Sequence, residues 1–123
     1  MAGRIVALID DVMVGTRIAA TLEAEGYAVL LAGTAAELRD ALCDGADAVL
    51  VPFAARGGDG LVAIRALRDD PTTAILPVIA FGPHVDTAGQ EAARAAGATR
   101  VVPNSLFFTR MGYVVEQALG DRR

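Results

Sequence analysis

The chain contains no lysine and no tryptophan, one cysteine and one histidine. Its basic charge rests on eleven arginines, outnumbered by fifteen acids, for a net charge of −4. An acidic chain without a basic stripe makes a poor ligand for a phosphate backbone, so direct nucleic-acid binding is not expected. The lone Cys43 cannot close an internal disulfide or build a cysteine metal site, and it reads as a small apolar residue on a helix. The lone His84 reads first as an ordinary exposed loop residue. Its other uses would be pH sensing, a partner contact, or a third ligand beside Asp10 or Asp11. No apolar run approaches the roughly 18 residues that span a bilayer, which excludes a transmembrane helix and any expectation of a membrane partner. The apolar stretch Ile5–Ile9 is too short for a signal peptide and lacks a small-residue cleavage site, so a cytoplasmic location is expected.

What is present is a regular alternation. Hydrophobic residues make up 54% of the 123 residues, a length that suits one domain spanning 1–123 and leaves no room for a separate effector domain. Short β-branched or apolar runs at Arg4–Ile9, Tyr27–Ala32, Ala48–Val51, Pro77–Phe81 and Thr99–Val102 predict five strands. Between them, helical spacing predicts Met13–Glu25, a capping box at Thr34–Glu37 opening a helix to about Cys43, Gly60–Arg68, and Thr87–Ala96 stopped by Gly97. A last helix is predicted over Leu106–Leu119, burying Phe107, Met111, Val114, Val115 and Ala118. The segment Phe53–Asp59 reads as a glycine- and alanine-rich loop that buries little. Its Gly57-Gly58-Asp59-Gly60 lacks the Lys-Ser/Thr of a phosphate-binding loop and reads as a flexible connection.

Five βα units call for a three-layer α/β sandwich with a five-stranded parallel sheet, and the flavodoxin-like order 2-1-3-4-5 is the common solution at this size. Ligands in that fold bind beyond the carboxyl ends of the strands. The residues placed there are Asp10-Asp11, Pro52-Phe53, Gly82-Pro83 and Pro103-Asn104. Two adjacent acids at a strand's end can hold a hard cation such as Mg²⁺. In an arbitrary loop the same pair would be a solvated acidic turn or a helix N-cap.

Ile9-Asp10-Asp11, Asp59-Gly60, Leu76-Pro77-Val78-Ile79 and Ala96-Gly97-Ala98 together resemble the response-regulator receiver family over the whole chain. The resemblance implies a CheY-like receiver domain of two-component phosphorelay signalling. In active members the acidic pair helps bind Mg²⁺, an Asp at the end of strand 3 takes a phosphoryl group from a histidine kinase, a Ser or Thr ends strand 4 and a Lys ends strand 5. Metal and lysine neutralise the phosphoryl oxygens while the carboxylate attacks. The hydroxyl then bonds the phosphate and draws a loop inward, which is the switch.

The chain departs from that pattern at three places. Counting back seven residues from Asp59 puts Pro52 at the acceptor position. Counting five on from Pro77 puts Gly82 at the hydroxyl position, and counting from Gly97 puts Asn104 at the lysine position, followed by Ser105. Only the acidic pair survives, so no catalytic residue is assigned and no cofactor is expected beyond weak Mg²⁺ at Asp10 and Asp11. Asp47 stands at the start of strand 3, about 15 Å from the site at roughly 3.3 Å per residue, too far to replace the acceptor. Asp59 reads as a cap of the third helix, and Thr87 could supply a hydroxyl only if the loop after Gly82 folded back.

Receivers commonly use the face of helix 4, strand 5 and the last helix for contacts. Here that face would carry Arg94, Arg100, Leu106, Phe107, Phe108 and Arg110, and no single helix face can bury all three of Leu106, Phe107 and Phe108. The expected function is a non-enzymatic pseudo-receiver that binds a kinase or effector protein without phosphorylation, with a homodimer as a possible assembly. Two rival expectations stand beside it. One is a conventional receiver with a shifted acceptor Asp. The other is a small flavodoxin-like ligand-binding protein, which would need a phosphate-binding loop where Asp10-Asp11 stands.

Overall fold

The computed structural model describes residues 3–54 and 59–122. Its elements run β1 (Gly3–Leu8), α1 (Val12–Glu23), β2 (Tyr27–Ala32), α2 (Ala35–Leu42), β3 (Ala48–Pro52), α3 (Asp59–Asp69), β4 (Val78–Gly82), α4 (Thr87–Ala96), β5 (Arg100–Pro103), α5 (Asn104–Thr109) and α6 (Met111–Arg122). All strand pairs are parallel and the order is β2-β1-β3-β4-β5, as the alternation predicts.

The central strands read as unbroken apolar runs because both of their faces are covered. Successive residues of a strand point to opposite sides, so β1 divides its side chains between two cores. Ile5 and Ala7 join Leu50, Ile79 and Phe81 beneath α1, α5 and α6. Val6 and Leu8 join Val49, Val51, Val78 and Ala80 beneath α2, α3 and α4. These are the three layers expected. Short polar side chains start the helices by accepting orphan backbone N–H groups. Asp11 takes the amides of Met13 and Val14, Thr34 takes that of Glu37, and Asp86 takes that of Gly89. Gly97 ends α4 in the left-handed region at φ 116°, where a side chain would be strained.

The final helix departs from expectation. It is two helices, broken at Arg110, whose φ of −133° and ψ of 45° leave the helical range. The break falls where the chain stops packing its aromatics on Phe81 and starts packing α6 on α1. Just past it, buried Gly112 lies against the end of the exposed Glu25 side chain, which would have to move aside for a Cβ. The burial expected of Phe107, Met111, Val114, Val115 and Ala118 is observed.

At the amino ends of the strands, Arg68 ties three segments together. Its Nε donates to the Gly97 carbonyl at 2.8 Å, and its Nη1 donates to the carbonyls of Ala74 at 3.0 Å and Leu76 at 2.7 Å. Its Nη2 donates to Thr99 Oγ1 at 3.2 Å, and that oxygen also accepts from the Val78 amide. Burial pulls the Arg68 guanidinium below its ordinary pKa, yet an arginine stays charged at any physiological pH. Nearby, the amide of Arg4 donates to Asp47 Oδ2 at 2.8 Å, and its Nη2 donates to the Ala41 carbonyl.

Candidate functional site

The carboxyl ends of the strands open into a cleft of about 640 Å³. It is lined by Asp10 and Asp11 after β1, Thr34 before α2, Pro52 and Ala54 at the end of β3, Asp59, Gly82 and Pro83 at the end of β4, and Asn104 and Phe108 of α5. The fold therefore gathers into one place Pro52, Gly82 and Asn104, which the resemblance puts at the acceptor, hydroxyl and lysine positions, together with the acidic pair. Pro52 and Gly82 end their strands, Asn104 follows β5 directly, and Asp10 and Asp11 lie just beyond β1, so parallel strands bring them all to one edge.

Asp10 and Asp11 are exposed. Asp11 Oδ1 already accepts two backbone N–H groups as the cap of α1, at 2.9 and 3.1 Å. Among the described residues no three His, Cys, Asp or Glu side chains converge closely enough to hold a metal ion. With one Asp11 oxygen committed to the cap, the pair offers few oxygen ligands, so a Mg²⁺ held by Asp10 and Asp11 would keep most of its waters. Asp59 sits in the first turn of α3 and lines the cleft, where the sequence suggests only a helix cap. Directly behind it, Gly60 lies against the Pro52 carbonyl oxygen, so close that no Cβ fits.

Phe53, placed by the sequence at the end of strand 3, has a buried role that the sequence reading did not give it. The loop expected to bury little begins with this ring, which is 3% exposed in the core under α3 and α4. Its amide also continues the β3–β4 ladder by donating to the Phe81 carbonyl at 3.0 Å. A Cβ built on Gly82 would lie 2.6 Å from the Phe53 ring, and one built on Gly89 would lie 2.8 Å from it. The pairing of a large aromatic after strand 3 with glycines at the end of strand 4 and in the first turn of helix 4 was the signal that could have revealed it. Residues 55–58 of that loop, with Gly57 and Gly58, lie outside the described residues.

On the other side of the sheet, Phe81 stacks on Phe107 with centroids 4.2 Å apart and planes at 11°, and Phe108 meets both edge-on. The guanidinium of Arg17 on α1 covers the Phe108 ring at 4.6 Å, a cation–π contact that closes the seam between α1 and α5.

The interaction face predicted from the sequence needs one correction. Phe107 is completely buried in its stack on Phe81 and presents nothing to a partner. Phe108 is half-buried and belongs to the cleft wall more than to an outer face. Leu106 is 37% exposed, so the three adjacent apolar residues divide as the helix geometry requires. Arg94 is exposed at the end of α4, and Arg110 lies over the exposed Tyr113 ring at 4.7 Å. Arg100 is half-buried in β5 opposite Ile79 and is engaged within the fold. His84 and Cys43 are both exposed, and Asp47 is occupied far from the cleft with the Arg4 amide. No described helix is long and apolar enough to cross a membrane.

No family model matches the chain, and no curated protein matches it. Solved structures do. NtrX from Brucella abortus, crystallised with ADP, superposes with a TM-score of 0.88 at 24% identity, covering 99% of this chain and 28% of that one. The chain thus spans little more than a quarter of that protein. A LuxR-family two-component response regulator from Aurantimonas sp. SI85-9A1 gives a TM-score of 0.84 at 26% identity, covering 98% of this chain and 87% of that one. A response regulator receiver domain protein from Clostridium thermocellum gives 0.83 at 20% identity, covering 97% and 95%. With its strand order and these superpositions over nearly its whole length, the chain has the fold of a response-regulator receiver domain.

Proposed function

We propose that the chain is a pseudo-receiver: a non-enzymatic module of two-component signalling that regulates a kinase or effector by binding it, without taking up a phosphoryl group. The observation that carries this reading is Pro52. It is the last residue of β3 and lines the cleft at the place where the chemistry needs a carboxylate nucleophile. Among the described residues that line the cleft there is no arginine, and Asn104 is neutral. None of them would offset the charge of a phosphoryl group beside Asp10, Asp11 and Asp59. The partner face is assigned to α4 and α5, where Arg94, Leu106 and Arg110 reach solvent. A second copy of the chain is an alternative occupant of that face.

One observation favours the rival reading of a conventional receiver with a displaced acceptor. Asp59 shares the cleft with the acidic pair. Acetyl phosphate with Mg²⁺, followed by intact-mass measurement beside an active receiver, separates the two. The pseudo-receiver gains no phosphoryl group. A gain that Asp59→Asn abolishes would establish the rival.

A further inference from the structure

We infer that Phe53 is a built-in plug that replaces the switch of this fold, fixing the β4–α4 loop and the first turn of α4 in one position. The inference rests on the pseudo-receiver reading for its meaning, and on packing alone for its geometry. In active receivers a hydroxyl at the end of strand 4 moves toward the phosphoryl group and draws the following loop inward. Here that position is Gly82, and the space its side chain would need holds the Phe53 ring. Restoring a serine at this position would drive its Cβ to 2.6 Å from ring carbons, closer than packed atoms approach. The missing hydroxyl and the buried aromatic are therefore one coupled change.

The same ring reaches across the loop. Gly89 in the first turn of α4 leaves little room for a Cβ, which would meet the Asp86 carboxylate first and lie 2.8 Å from Phe53 Cδ1. Asp86 closes the turn from the other side, its Oδ1 accepting from the Gly89 amide at 2.9 Å. Residues 83–86 are thus held at both ends, by Gly82 and Gly89 against a ring that is 3% exposed. A loop pinned in this way has no free travel for a phosphoryl group to drive. The position of α4, and of the exposed Val85 and Arg94 around it, is set by core packing and not by modification.

The test is a double-mutant cycle combined with hydrogen exchange. Gly82→Ser and Phe53→Ala each lower Tm. Because a smaller residue at 53 makes the room that the introduced serine needs, the double variant loses clearly less than the sum of the two single losses. Additive losses would overturn the plug. In the milder Phe53→Leu variant, amides of residues 84–90 exchange about ten-fold faster, while those of 94–99 beside Arg68 keep their wild-type rates. Uniform change along the chain, or none, would also overturn it. Phosphoryl uptake by the wild-type chain is a separate outcome: it would refute the pseudo-receiver reading and leave the coupling measured between Phe53 and Gly82 unaffected.

Discussion

The two ends of the parallel sheet have been treated differently. At the amino ends, directed polar bonds cross between segments: Arg68 donates to three carbonyls and a threonine hydroxyl, and Asp47 takes the Arg4 amide, although the buried Arg4 Nε has no hydrogen-bond partner among the described residues. At the carboxyl ends, on the pseudo-receiver reading, the polar set has been thinned. Pro52, Gly82 and Asn104, which the resemblance puts at the acceptor, hydroxyl and lysine positions, line the cleft, and an aromatic ring lies against Gly82. The amino end holds the fold together through directed bonds. The carboxyl end keeps an open cleft, whose reactive groups are gone on the pseudo-receiver reading proposed above.

Substitutions at the two ends probe this contrast. The largest effect is expected at the amino end. Arg68→Ala removes bonds to several backbone acceptors at once and should cost about 2–3 kcal/mol, read as a shift of the denaturant midpoint without change in slope. Arg68→Lys should recover little of this, because an ammonium cannot present the planar fork that spans these carbonyls. At the carboxyl end, Asp11→Ala should cost about 1 kcal/mol through loss of the α1 cap. Asp10→Ala should stay within about 0.5 kcal/mol, since its exposed side chain caps nothing. A large loss at Asp10 would mean that the acidic pair still holds something. Adding Mg²⁺ would then raise the midpoint in the wild type and not in the variant.

Much of the architecture is legible in the sequence because buried parallel strands advertise themselves as apolar runs and helices as capped, periodic segments. The positions of Asp10, Asp11, Pro52, Gly82 and Asn104 follow from strand ends alone, since the fold delivers every strand end to one cleft. What escapes has no local signature. Phe53 reads as a loop residue because its partners, Gly82 and Gly89, are distant in sequence and recognisable only by the room they leave. Arg68 bonds mainly to backbone carbonyls, which no side-chain pattern reveals. From its spacing Phe107 suits both the core and a contact face, and only its stack on Phe81 decides for the core. The break at Arg110 interrupts a stretch whose apolar spacing would serve one continuous helix equally well.

Loss of phosphoryl acceptance by the cleft is the property on which the pseudo-receiver reading stands. Beryllofluoride with Mg²⁺ mimics an acyl phosphate by binding to an acceptor carboxylate, so its titration into labelled protein probes that property at the site itself. The backbone amide resonances of Asp10, Asp11, Ala54, Asp59 and Asn104 are expected to stay where they are beyond the small effect of Mg²⁺ alone. Saturable shifts at these residues, absent with Mg²⁺ by itself, would contradict the pseudo-receiver reading.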